Sequence, residues 1–173
     1  SLDALVDART ARRTIDAEDL RGRVWQRPDL ALCLVVDRSG SMGGARLATA
    51  AVAASAAALR SGTDLSVVAF AEDAVVVKGQ VADVAPGLVV ERLLALRGHG
   101  PTDLALGLRA ARLQLHASRA DRKIAIVLSD CRATAGENPL VEARLVPELL
   151  VLAPADDDQD AREFAGAVGA RLA

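Results

Sequence analysis

The stretch Leu32-Cys33-Leu34-Val35-Val36-Asp37-Arg38-Ser39-Gly40-Ser41-Met42 decides how this chain is read. Its first five residues are apolar and mostly β-favouring, and the chain then changes at once to an acid, two hydroxyls and a glycine. With Leu30 and Ala31 ahead of it, the apolar run has the pattern of a strand buried on both faces. Such a strand, ending in Asp37, Ser39 and Ser41, delivers three oxygen side chains to one edge of a sheet.

Downstream, Ala45 to Arg60 is apolar nearly all round, the mark of a buried helix, and Ser61-Gly62 stops it. Asp64 to Phe70 and Ala74 to Lys78 read as strands joined by the hairpin-length Ala71-Glu72-Asp73. Ala85-Pro86-Gly87 breaks the chain before the helical spacing of Leu88 to Leu96. Gly98-His99-Gly100-Pro101 forms a turn ahead of a helix over Asp103 to Ser118. Lys123 to Leu128 is a second buried strand, and it too ends in a hydroxyl and an acid, Ser129 and Asp130. A partly polar loop with a helical turn near Leu140 to Leu145 leads to a last strand, Glu148 to Ala153, and a last helix, Asp160 to Leu172.

Strands alternating with helices predict an open α/β fold with a mostly parallel central sheet and one antiparallel edge strand. Residues 1–29 are charged and weakly periodic, with Leu2, Leu5 and Val6 fit for one helical turn and a basic cluster at Arg9, Arg12 and Arg13. They are expected to be an N-terminal arm or extension, with the domain itself over 30–173.

Composition narrows the function. The chain is 51% apolar, yet Trp25, Phe70 and Phe164 are its only aromatic residues, so the core must be built from Val, Leu and Ala. A formal charge of −2 spread along 173 residues leaves no basic footprint for nucleic acid. Leu47 to Leu59, the longest uncharged run, is shorter than the about 20 residues a bilayer requires. No signal peptide is read, and a cytoplasmic location is expected. Cys33 and Cys131 lie too far apart for a paired spacing, and Cys33 alternates into the core strand.

In open α/β sheets, ligands bind outside the carboxyl ends of the strands. There the sequence places Asp37, Ser39 and Ser41, then Thr102 at a helix start, and Asp130: five oxygen side chains carrying two negative charges. Hard cations take oxygen ligands, and Mg²⁺ wants six at about 2.0–2.1 Å while keeping several waters. Two carboxylates leave a divalent ion neutral, and a remaining open position can accept a carboxylate from another protein.

D-R-S-G-S-M at Asp37 to Met42, G-P-T at Gly100 to Thr102 and S-D at Ser129-Asp130 resemble the von Willebrand factor A domain and its metal-ion-dependent adhesion site. The resemblance is closest to the A-type domains of the magnesium chelatase D subunit and of proteins that work with MoxR-type AAA+ ATPases. In those, E-D-L-R ahead of the first strand (here Glu18 to Arg21) and G-R-A after the second acid recur, the latter standing here as Cys131-Arg132-Ala133. The resemblance implies a Rossmann-like, three-layer fold with helices on both faces of the sheet, and it implies that Ser39, Ser41 and Thr102 bind the metal directly or nearly so, with Asp37 and Asp130 ligating directly or through water. It implies Mg²⁺, with Mn²⁺ or Ca²⁺ substituting, a protein partner supplying an Asp or Glu, and an AAA+ subunit or domain elsewhere, since no phosphate-binding G-x-x-x-x-G-K-[ST] loop occurs here. Cys131 replaces the family's usual glycine, which leaves the backbone shape of that turn open, and Asp103 is read as favouring the helix N-terminus.

A non-catalytic, metal-dependent binding module is the first reading. The alternatives are a metal-dependent phosphatase-like hydrolase with Asp37 as nucleophile, a serine triad from Ser41, Asp130 and a histidine, and a scaffold whose metal is idle. Ser39 stands where the haloacid dehalogenase pattern wants a second acid, and both His99 and His116 precede Asp130, against the α/β-hydrolase order. Asp156, Asp157, Asp158 and Asp160 lack the glycine and glutamate of a calcium loop and are expected just before a helix N-terminus.

Overall fold

The computed structural model describes residues 29–42, 49, 63–96 and 98–173. Apart from Asp29, the expected arm over 1–29 and, apart from Thr49, the expected helix over 45–60 lie outside the described residues. Six strands form one sheet: β1 (Leu30–Asp37), β2 (Thr63–Phe70), β3 (Ala74–Lys78), β4 (Arg122–Leu128), β5 (Glu148–Leu152) and β6 (Arg171–Leu172), in the order β3-β2-β1-β4-β5-β6. All neighbours pair in parallel except β2 with β3, an antiparallel hairpin at the sheet edge. The described helices are α1 (Pro86–Ala95), α2 (Leu104–Ala117), α3 (Pro139–Ala143) and α4 (Gln159–Val168).

Alternation along the strands divides the core between two faces. On one, Val35, Val68, Phe70, Val127 and Val151 pack under α2 and α4; on the other, Leu34, Val36, Val67 and Val77 pack with Val89 and Leu93 of α1. Helices therefore cover both faces of a mostly parallel sheet. Helix α2 buries Leu104, Leu108 and Leu115, each such side chain stabilising the fold by about 1.5–3 kcal/mol. It sits close to the sheet because Gly107 faces Phe70: a Cβ there would come within 2.7 Å of the ring.

Two sequence expectations are corrected. Pro86 and Gly87 do not break the chain ahead of a helix but open it, with Pro86 in the first turn of α1, where its missing N–H costs nothing. The final helix ends at Val168 rather than Leu172, because Gly169 takes the left-handed conformation at φ 72°. The chain then re-enters the sheet, so β6 and not β5 is the last strand; Leu150 pairs with Arg171 and Val151 with Leu172.

This topology positions the polar strand ends. Strand order reverses at β1, with β2 on one side and β4 on the other, and such a switch point opens a crevice at the carboxyl ends. Val36 is level with Leu128, so Asp37 and Ser129 leave the sheet side by side with Asp130 one residue beyond. Among the described residues no helix is long and apolar enough to cross a membrane.

Candidate metal centre

Asp37, Ser39, Thr102 and Asp130 are all buried at this end of the sheet, Asp37 at 0% exposure and Asp130 at 1%. Ser41 lies in the 3-10 turn Gly40–Met42, which is closed by Met42 N–H donating to the Ser39 carbonyl at 3.0 Å. Asp37 accepts from Ser39 N–H at 2.8 Å through Oδ1 and from the Ser129 hydroxyl at 2.5 Å through Oδ2. Ser129 Oγ in turn accepts from Cys131 N–H at 2.9 Å, and Asp130 Oδ1 accepts from Arg132 N–H at 3.0 Å. The two acids are thus fixed by the backbone immediately after them.

Thr102 belongs to a separate loop, which hydrogen bonds draw to the same place. His99 N–H donates to the Arg38 carbonyl at 3.0 Å and Asp103 N–H to the Ala71 carbonyl at 2.9 Å, tying it to the ends of β1 and β2. From the β4 side, Thr102 N–H donates to the Thr134 hydroxyl at 2.9 Å, and the Thr102 carbonyl accepts from Thr134 N–H at 3.1 Å. Asp103 caps α2 by accepting from Leu106 N–H at 2.9 Å, which bears out its reading as a helix N-terminal residue. Gly136, at φ 82°, lies against the Asp103 carboxylate, where a Cβ would meet it at 2.1 Å.

Burial pushes the Asp37 carboxyl above its ordinary range; the hydrogen bonds from Ser129 and Ser39 pull it back, and the charge of Asp130 pushes it up again. Asp37, whose charge its neighbour Asp130 disfavours, forms with that second buried acid and the hydroxyl oxygens around them a donor set that fits a hard divalent cation. Among the described residues no three His, Cys, Asp or Glu side chains gather as a metal cluster, so an ion here would depend on hydroxyl oxygens beside the carboxylates. As a nucleophile Asp37 is badly placed, fully buried with both oxygens accepting hydrogen bonds.

Cys131 adopts φ 59°, the left-handed conformation that suits glycine, so the turn keeps a glycine-like shape with another residue in it. Its thiol is buried and pushed up to about 12, first by burial and then by the charges of Asp130 and Asp37, so it is not a reactive thiolate near neutral pH. His99 and His116 are both exposed, and Asp158 and Asp160 flank the start of α4 as expected. Arg132 reaches across to that segment, pairing with Asp157 at 3.0 Å and Asp160 at 2.8 Å.

The sequence reading gives Ser129, Thr134 and Arg38 no positioning role. Ser129 had a visible signal, since it precedes the second acid. Thr134 had none, standing 32 residues from Thr102. Arg38, buried at 4% exposure, pairs with Asp73 of the hairpin turn and has its Nη1 3.2 Å from His99 Nδ1, so it links three loops.

Comparison with known proteins agrees with this architecture. Residues 32–133 match the von Willebrand factor type A domain family. No curated protein matches the chain. Among solved structures, the chain is similar to an aerotolerance-related membrane protein from Bacteroides fragilis, at 14% identity and a TM-score of 0.66 over 83% of this chain and 90% of that one. It is also similar to the manganese-loaded TRAP protein of Plasmodium vivax, at 19% identity and a TM-score of 0.63 over 80% of this chain and 63% of that one. A third likeness is to the pilus adhesin SpaC from Lactobacillus rhamnosus GG, at 18% identity and a TM-score of 0.62 over 84% of this chain and only 28% of the adhesin. At these identities the likenesses speak for the fold. The family match covers more than half of the chain and spans Asp37, Ser39, Ser41, Thr102 and Asp130; the chain belongs to the von Willebrand factor type A domain family.

Proposed function

We propose that this chain is a metal-dependent protein-binding module in which Asp37, Ser39, Ser41, Thr102 and Asp130 hold Mg²⁺, or Mn²⁺ or Ca²⁺ in its place. The ion's chemistry is that of a hard Lewis acid with a position left for an oxygen ligand from outside. A protein partner supplies that ligand as an Asp or Glu carboxylate. The observation that carries the reading is the pair of buried acids, Asp37 and Asp130, set side by side at the switch point with Ser39 and Thr102 buried beside them. Burying two acids near each other costs stability, and a divalent cation held there would offset their repulsion.

In this account the protein's own residues do the holding. Ser129 and the backbone N–H of Ser39 orient Asp37, the Arg132 N–H orients Asp130, and Thr134 fixes the loop that carries Thr102. The module occupies residues 30–173, after an arm over 1–29, and works in the cytoplasm beside an AAA+ ATPase of the chelatase or MoxR-associated kind. The support for that setting is the sequence resemblance at Glu18 to Arg21 and Cys131 to Ala133.

Partner capture repeated with and without EDTA tests the reading. Retention of a protein partner in Mg²⁺, its release by EDTA and its loss with Asp130→Ala are expected. A domain that binds Mg²⁺ but holds every partner equally well in EDTA has an idle metal, and the proposal fails.

A further inference from the structure

At the opposite end of the sheet, where β4 and β5 begin, lies a cleft of about 550 Å³. Its polar lining is Arg122, Arg144, Arg171 and one acid, Glu148, and its walls include Val146 and Leu149. Arg122 already grips Glu148 with two hydrogen bonds, at 2.8 and 2.7 Å. Arg144 and Arg171 are exposed, and among the described residues their side chains make no hydrogen bond or close ion pair, although the charge of Arg171 helps to lower the Glu148 carboxyl. The cleft is therefore net cationic in a chain whose formal charge is −2. At Pro147 it meets a second hollow of about 370 Å³, also lined by Arg112, His116, Lys123 and Leu145. Leu145 and the nearby Leu113 are 55% and 58% exposed.

The geometry points to a second docking site here, remote from the candidate metal centre and independent of it, which takes an extended acidic segment of a protein partner with apolar residues between its carboxylates. Guanidinium groups bind carboxylates in a planar, two-bonded fork, and the Arg122–Glu148 pair already shows that arrangement within the cleft. Arg144 and Arg171 offer the same fork to an incoming acid. The apolar walls and exposed leucines suit apolar side chains, which inorganic phosphate and a phosphate backbone do not offer. Glu148 within the cleft further disfavours a dense polyanion.

The test is fluorescence anisotropy in EDTA, with the whole chain and a labelled eight-residue peptide of alternating glutamate and leucine as probe. Saturable binding is expected, weakened about tenfold by Arg144→Glu with Arg171→Glu, as fits the loss of two exposed charge pairs, and unchanged by Asp130→Ala. Both arginines are exposed, so circular dichroism of the double variant should match the parent. A glutamine-for-glutamate peptide should bind at least tenfold more weakly. No saturable binding, equal binding by the double variant, equal binding of the glutamine peptide, or displacement by low millimolar inorganic phosphate would each overturn the inference. Because the assay contains no free metal, its failure leaves the metal reading untouched.

Discussion

At the carboxyl ends of β1 and β4 the polar side chains are buried and held by one another; at the amino ends of β4 and β5 they are exposed, and among the described residues two of them make no hydrogen bond or close ion pair. Asp37 is fixed by two donors, whereas Arg144 and Arg171 stand in solvent. Both ends belong to the same sheet, so the difference lies in the connections. The end with the candidate metal centre is built from loops that hydrogen-bond to each other's backbones, namely 38–42, 71–73, 98–103 and 129–136. The opposite end is built from helix and strand termini that face outward. Preorganisation of the first kind suits a small ion with strict geometry, and adaptable charge of the second kind suits a flexible segment.

The contrast is broken most severely from beneath the candidate metal centre. Phe70 is fully buried, pairs with Asp37 across β1 and β2 and supports α2 at Gly107. Phe70→Ala is expected to cost about 3–5 kcal/mol in chemical denaturation, and a loss under about 1 kcal/mol would mean that the loops do not rest on this ring. Next comes Ser129→Ala, which removes the donor to Asp37 Oδ2 and should cost about 1–3 kcal/mol without metal. A neutral result would show that water replaces the hydroxyl freely and that the site is looser than described.

A smaller effect separates the two ends by pH. Glu142 of α3 accepts from Arg109 at 2.8 Å and from Arg112 at 3.3 Å, and the hydrogen bond from Arg109 is the first cause of its lowered carboxyl pKa. A lowered folded value stabilises the fold above the ordinary glutamate range, and that contribution is lost as pH falls through the folded value. Denaturation midpoints should therefore drop below about pH 4, and Glu142→Gln should flatten that acid limb. The smallest effect belongs to the open end: Arg144→Ala should change stability by less than about 0.5 kcal/mol, and a larger change would mean that this arginine holds the fold together.

Legibility in the sequence follows from how local each signal is. The apolar run before Asp37 announces β1 and its exit, and Lys123 to Leu128 does the same for β4, because a buried strand followed by an acid is written in consecutive residues. The hairpin and α2 were legible for the same reason. Strand β6 was not: Arg171-Leu172 is too short for a period, and only the left-handed turn at Gly169 returns it to the sheet. In the candidate site, Thr134 and Arg38 act on residues 32 and 61 positions away, and no pattern in one stretch encodes such a pairing. The shape at Cys131 was hidden because the residue type argues against the conformation it adopts. The arginine cleft is assembled from three separate segments, 122–124, 143–150 and 168–171, so no single stretch of sequence shows its charge.

The central claim is that the buried acids at the switch point serve a cation, and calorimetric titration of the metal-free chain with Mg²⁺ tests it most directly. The account expects one ion bound per chain with an affinity on the order of micromolar to millimolar, lost in Asp37→Ala and in Asp130→Ala. A folded chain that gives no heat of binding, or variants that bind Mg²⁺ as the parent does, would contradict it.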